Sequence, residues 1–171
     1  MLWEKQGRLM VQRNITIKMG EGAVNNAPQI ISSQGIGSCV VVTIYDPRRK
    51  MGGMAHIMLP ESNGLNGRGS PYHYADTAIV TLLGKLYSRG ALLQDIVAKM
   101  IGGAQMFICS NGSGPGIGKQ NVSSVRRILG RERIPLSGEE VGGSYGRNVE
   151  FYLDSGKVIV KTAGKKGDVE L

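Results

Sequence analysis

Two apolar segments joined by a short polar turn constrain the fold of this chain more than any other feature. Residues 39–46 and 51–59 are mostly apolar, and the turn-forming sequence Asp46-Pro47-Arg48-Arg49-Lys50 lies between them. Apolar runs of this length on either side of a polar turn predict a β-hairpin over roughly residues 39–59. Because side chains alternate between the two faces of a strand, the hairpin also determines which of its residues can meet.

The predicted hairpin places Cys39 and His56 on one face of the sheet. A turn centred near Arg48–Arg49 sets Cys39 opposite Met58, and a slightly shorter or shifted turn sets it opposite His56 itself. In both registers the thiol and the imidazole lie within reach of each other, directly or diagonally. A thiol beside an imidazole base is the smallest set of groups from which a cysteine nucleophile can be built. The alternative is a small buried cysteine and a histidine bonded to backbone.

Glycines precede both residues. Gly35 and Gly37 come shortly before Cys39, where they let the backbone bend and turn N–H groups inward. Such N–H groups could bind an oxyanion and favour the thiolate. Gly52-Gly53 precede His56, and we expect these small residues to leave room for a substrate.

Length and composition indicate a single globular domain over residues 1–171. A chain of 171 residues can bury a sizeable core, and 41% hydrophobic with 20% charged residues is ordinary for a globular protein. We expect the core to span about residues 30–160 and the tail at 164–171 to be frayed. Two cysteines are too few for a disulfide-stapled secreted domain. With no apolar leader or membrane span in the sequence, we expect a cytoplasmic protein without membrane insertion.

The net charge of +8 is spread along the chain. Nucleic acid is the obvious partner for a basic protein, but no helix-turn-helix, zinc finger or aromatic-basic signature accompanies the charge. We therefore expect no nucleic-acid binding. The two cysteines and two histidines lack the close spacing of a metal site, and the loop 110–119 lacks the residues of a P-loop. We expect neither metal nor cofactor, and inert burial for Cys109.

The remaining pattern alternates strands with two amphipathic helices, which indicates an α/β fold. Apolar residues recur at helical spacing in two segments and alternate or run together in several others. The predicted helices are Tyr74–Ser88 and Asn121–Leu129. The predicted strands include part of 9–19, one or two within Ile96–Phe107, and Ile134–Val141, Val149–Leu153 and Val158–Lys161. Residues 20–29 and 61–71 are predicted loops.

Several sequence blocks together resemble the chemoreceptor glutamine deamidases of bacterial and archaeal chemotaxis, the CheD family. The blocks occur in the family's order over about residues 30 to 160. They are Gly35-Ile-Gly-Ser-Cys-Val40, Tyr45-Asp-Pro47, Gly52-Gly-Met-Ala-His-Ile-Met-Leu-Pro60, Tyr74-Ala-Asp-Thr-Ala78, Lys99-Met-Ile-Gly-Gly-Ala-Gln-Met-Phe107, Ile117-Gly-Lys-Gln-Asn121 and Gly142-Gly-Ser-Tyr-Gly-Arg147.

The resemblance implies a β-sandwich-like core of mixed sheets with flanking helices, and a catalytic set of Cys39, His56 and Ser33. The family's third residue is typically threonine, so Ser33 keeps the hydroxyl and loses the methyl group. Lys119 and Gln120 replace an acidic residue and an arginine, which leaves any surface role of that block open. The implied mechanism pairs a Cys39 thiolate with a His56 imidazolium.

The implied activity is a protein-glutamine amidohydrolase that needs no cofactor. Its substrate would be the cytoplasmic helical region of methyl-accepting chemotaxis receptors, and a CheC-type phosphatase is a possible regulator. Two alternatives stay open: a receptor glutamate methylesterase or another thiol hydrolase, and a non-catalytic chemotaxis adaptor.

Overall fold

The computed structural model describes residues 12–64, 69–106 and 114–171. Its strands are β1 (Asn14–Ile17), β2 (Gly22–Asn26), β3 (Ile30–Ile36), β4 (Val40–Asp46), β5 (Met51–Ile57), β6 (Val97–Gly102), β7 (Leu136–Val141), β8 (Arg147–Tyr152), β9 (Val158–Thr162) and β10 (Val169–Glu170). Its helices are α1 (Ala75–Tyr87) and α2 (Ile117–Arg131), with a short 3₁₀ helix at Leu93–Asp95. Neither α-helix combines the length and the apolar character that crossing a membrane requires.

The strands form two five-stranded mixed sheets. The hairpin sheet has the order β2-β5-β4-β6-β7, and the second sheet has the order β1-β3-β8-β9-β10. Each contains one parallel pair, β6 with β7 and β1 with β3, among antiparallel neighbours. The two central strands of the hairpin sheet, β4 and β5, are buried along their whole length.

Two apolar layers hold the fold together, one on each face of the hairpin sheet. Alternating residues of β4 separate into the two layers, since Val40, Val42 and Ile44 pack with the helices while Val41 and Tyr45 face the second sheet. Between the sheets, the rings of Tyr45 and Phe151 meet edge to face with centroids 5.8 Å apart. The expected sandwich of mixed sheets with flanking helices is confirmed, and both helices lie on one side of it.

The hairpin is also confirmed, and its register is resolved. Asp46 pairs with Met51 and Val40 pairs with Ile57. Extending this ladder by one residue sets Cys39 opposite Met58 and makes His56 its diagonal neighbour. Of the two registers open from the sequence, the structure adopts the one with the turn centred near Arg48–Arg49.

Two segments expected to be irregular are strands. Residues 20–29 contain β2, which pairs with β5 along its whole length and buries Val24 in the helix-side core. The tail at 164–171 contains β10, which pairs with β9, and the backbones of Leu171 and Val158 exchange two hydrogen bonds. Both predictions fail for the same reason: sheet pairing supplies what the polar, glycine-rich sequences lack in strand propensity.

The remaining elements match with shifted ends. Helix α1 agrees within a residue at each end, whereas α2 begins at Ile117 rather than Asn121. Only one strand, β6, occupies the segment 96–106, and it ends at Gly102, whose φ of +115° an L side chain rarely adopts. Residue 107 lies outside the described residues.

Candidate active site

Two of the three residues singled out from the sequence, Ser33 and His56, meet between the two sheets, and Cys39 lies at the open end of the hairpin. Ser33 comes from β3 of the second sheet, His56 from β5, and Cys39 immediately precedes β4. Ser33 Oγ lies 2.8 Å from His56 Nδ1, across the interface of the two sheets. Both side chains are buried, at 0% and 1% exposure.

The hydrogen bonds of Ser33 determine where His56 carries its proton. Ser33 Oγ also lies 2.9 Å from the carbonyl oxygen of Ile17, which can only accept. A hydroxyl has one proton, so Ser33 donates to Ile17 and accepts from Nδ1–H of His56. In the neutral ring this places a free lone pair on Nε2. That atom is buried and has no hydrogen-bond partner among the described residues.

Cys39 lies on the same face of the hairpin sheet as His56. It alternates with Val40, which faces the helices, and shares a face with Val41, whose partner across the ladder is His56. The Cys39 thiol is free and 9% exposed, and its Sγ is 3.5 Å from Met19 Sδ. Its carbonyl accepts a hydrogen bond of 2.7 Å from Gly103 N–H, which fixes its backbone against β6.

Burial shifts both titratable groups toward their neutral forms. It lowers the pKa of His56 from 6.5 to about 4. It raises the pKa of the Cys39 thiol, and the hydrogen bond of its own backbone N–H partly opposes this. Burial of each group thus favours a thiol and a neutral imidazole, and the thiolate–imidazolium pair stays a prediction.

Three of the four glycines near the site, Gly35, Gly52 and Gly53, have roles other than those expected. A Cβ on Gly52 would lie 2.7 Å from the Phe151 ring, and one on Gly53 would lie 2.8 Å from Val24. These residues allow neighbouring layers to pack closely and do not open space for a substrate. Gly35 has a φ of +67° in a bulge of β3, and its N–H donates to Asn148 Oδ1 at 3.0 Å. Its N–H is thus committed and cannot bind an oxyanion.

Asn121 on α2 is a residue of the site that sequence reasoning did not single out. Its Nδ2 donates to the carbonyl oxygens of Ser38 at 3.0 Å and Met58 at 2.9 Å. Ser38 directly precedes Cys39, and Met58 comes two positions after His56. One buried amide side chain therefore connects the ends of β4 and β5 beyond their last ladder pair, Val40 with Ile57. The only available signal was its place in a sequence block, because no spacing rule connects a helix residue to a hairpin 60 residues away in the chain.

The last of the sequence blocks ends at Arg147, which does not contact the candidate catalytic residues. Arg147 is 1% exposed, pairs with Glu140 and stacks on the Tyr145 ring at 4.5 Å. We interpret Arg147 as a structural residue, because its buried guanidinium group is paired with a carboxylate of the same protein. Cys109 lies outside the described residues.

Comparison with known proteins identifies relatives of the chain. The model of the family described as "CheD chemotactic sensory transduction" matches residues 58–162, a region that begins just after His56. The chain is 41% identical over 155 residues to the chemoreceptor glutamine deamidase CheD of Thermotoga maritima, covering 91% of this chain and 96% of that protein. It is likewise 41% identical over 162 residues to the protein of the same name from Halalkalibacterium halodurans, covering 92% of this chain and 99% of the relative.

A third relative, a probable chemoreceptor glutamine deamidase CheD of Caldanaerobacter subterraneus, is 37% identical over 156 residues, covering 91% of this chain and 96% of its own. Among solved structures, the hypothetical protein YfiH of Bacillus licheniformis superimposes with a TM-score of 0.47 at 14% identity, covering 72% of this chain and 51% of that one. That structural likeness is too weak to carry an argument. The sequence matches extend over nearly the whole length of both partners, and the chain belongs to the CheD family.

Proposed function

We propose that this protein deamidates glutamine side chains of methyl-accepting chemotaxis receptors, with Cys39 as nucleophile, His56 as general base and acid, and Ser33 as the residue that orients His56. One observation carries the proposal: Ser33 accepts from Nδ1 of His56 while donating to the Ile17 carbonyl. This arrangement leaves Nε2 as the basic atom of a buried ring on the face that Cys39 shares. The names of the relatives supply the substrate class.

The attack begins from the neutral pair. As Cys39 Sγ forms a bond to the amide carbon of the glutamine, its proton passes to Nε2 of His56. The ring is then positively charged, and the Ser33 oxygen stabilises it by accepting from Nδ1–H. Collapse of the tetrahedral intermediate breaks the carbon–nitrogen bond. The Nε2 proton goes to the departing nitrogen, which leaves as ammonia and yields a thioester at Cys39.

The thioester is hydrolysed by the same groups. Water attacks the thioester carbonyl while Nε2 of His56, again neutral, takes a proton from it. The carbon–sulfur bond breaks, the sulfur recovers its proton from His56, and a glutamate side chain is released. A neutral imidazole suits both half-reactions, because each begins with a proton transfer to Nε2.

The names of the relatives support a proposal for the biological setting. We propose that the protein acts in the cytoplasm, where the free Cys39 thiol stays reduced, and that it converts glutamines in the helical cytoplasmic region of a receptor. Each new glutamate is a potential methylation site. A CheC-type phosphatase as regulator is part of the same proposal and rests on the family resemblance alone.

Product analysis tests the activity. Purified protein is incubated with receptor cytoplasmic fragments, and Gln-to-Glu conversion is mapped by mass spectrometry while ammonia and methanol are quantified. Ammonia release with conversion at defined glutamines is the expected result. Methanol release from a methylated receptor without ammonia would identify a methylesterase instead.

A matched pair of variants separates the enzyme from an adaptor. Cys39→Ala should lose all conversion and still bind receptor, whereas His73→Ala should convert receptor like the wild type. Receptor binding by the wild type without conversion of any glutamine would favour a non-catalytic adaptor.

A further inference from the structure

We propose that Met19 is the gate of the active site: its side chain covers the Cys39 thiol in the free protein and has to move aside when a substrate side chain enters. Met19 Sδ lies 3.5 Å from Cys39 Sγ. At that separation the two sulfurs are in contact, and no substrate atom fits between them. Only the identity of the entering group, a glutamine side chain, rests on the proposed function.

The backbone beneath Met19 is firmly held. Residues 18–21 form a turn in which Glu21 N–H donates to the Lys18 carbonyl at 3.0 Å. Gly20 N–H donates to the His56 carbonyl at 2.8 Å, and His56 N–H donates to the Glu21 carbonyl at 2.9 Å. Two backbone bonds therefore fasten this turn to the histidine of the site. Movement of the whole turn would break them.

The Met19 side chain, in contrast, is free to move. It is 55% exposed, whereas the cysteine beneath it is 9% exposed. Methionine has three rotatable side-chain bonds, and a thioether is only a weak hydrogen-bond acceptor for a thiol. Rotation of the side chain uncovers Cys39 and leaves the bonds between the turn and His56 intact. The mobile part of the entrance is thus the Met19 side chain.

Alkylation of Cys39 measures the gate without using deamidation. The rate of iodoacetamide labelling is followed in the full-length protein across a range of alkaline pH, which separates access to the thiol from its pKa. Trypsin places the two cysteines in different peptides, since Lys18 and Arg48 flank one while Lys99 and Lys119 flank the other. Mass spectrometry of the digest then reports Cys39 alone.

Three variants give the outcome. In Met19→Ala, iodoacetamide should label Cys39 about fivefold faster than in the wild type at limiting alkaline pH. This ratio corresponds to ~1 kcal/mol less free energy needed to expose the thiol. Met19→Leu, which keeps the bulk, should label at the wild-type rate. Val80→Ala, which trims a comparably exposed apolar side chain on α1, is the control and should change nothing.

The proposal is overturned if Met19→Ala labels no faster than the wild type, or if Met19→Leu is accelerated as much as Met19→Ala. Circular dichroism of each variant shows whether the fold is retained. Because labelling does not depend on amide hydrolysis, a positive result stands even if no receptor is deamidated. The failure of the gate and the failure of the deamidase proposal are therefore distinguishable.

Discussion

Acidification should destabilise this protein through His56, by an amount that its burial sets. In the folded protein the pKa of His56 is about 4, whereas in the unfolded chain it has its ordinary value of 6.5. The unfolded chain therefore binds a proton at this residue more readily than the folded one, and falling pH favours unfolding. The penalty is small near neutrality, grows as pH falls below 6.5, and stops growing below about 4.

The size of the effect follows from the width of that window. Each pKa unit corresponds to about 1.4 kcal/mol, so the full penalty approaches ~3 kcal/mol. Between about pH 7 and pH 5 it should reach ~2 kcal/mol. Other groups also titrate in this pH range and change the unfolding free energy. The variant His56→Gln keeps these groups and lacks only the imidazole, so it is the reference for the contribution of His56. The wild type should lose ~2 kcal/mol more unfolding free energy than His56→Gln over this interval.

Urea denaturation of both proteins at a series of pH values measures this difference. Proton NMR of the imidazole resonances gives the pKa directly, and the chain has only two histidines, so His73→Gln completes the assignment. A His56 resonance that titrates near 6.5, or parallel pH dependences of the two unfolding free energies, would refute the reasoning. Burial would then not keep the ring neutral, and the neutral resting pair would be wrong.

Three other outcomes follow from the site. Deamidation kcat/KM should stay level from about pH 7 down to pH 5, because His56 remains neutral; a loss with an apparent pKa near 6.5 would contradict this. Ser33→Ala should lower kcat ~100-fold while Ser33→Thr retains activity, as measured by ammonia release; a fully active alanine variant would assign the orientation of His56 to another group. Asn121→Ala removes the donor to two carbonyls and should cost ~2 kcal/mol or more of unfolding free energy, and an unchanged urea midpoint would count against the bridge.

The sequence predicts the hairpin and its shared face well, because both depend on local signals. A continuous apolar run on each side of Asp46–Lys50 leaves few alternatives, and the period of two places Cys39 and His56 together in either register. Choosing between the registers required the structure. The resemblance led to Ser33, since no local pattern indicates that a residue of β3 meets His56 across two sheets.

Other features depend on contacts that no local pattern contains. Strand β2 has a polar, glycine-containing sequence, and its pairing with β5 stabilises it as a strand. The Asn121 bridge joins a helix to two strand ends, and the pKa of His56 results from burial between layers. The expected thiolate–imidazolium pair was reasonable for two residues in water-accessible surroundings. Burial of His56 against the second sheet opposes the charged form of the ring.

The internal position of the hairpin has a consequence for how the protein loses its site. Strand β5 has β2 and β4 as neighbours, and β4 has β5 and β6, so neither strand has a free edge from which to fray. Backbone amides in such strands exchange with solvent deuterium only through the largest opening that the fold undergoes. The backbone amide of His56 should therefore be among the slowest to exchange. The structure around His56 should be lost only when the entire domain unfolds.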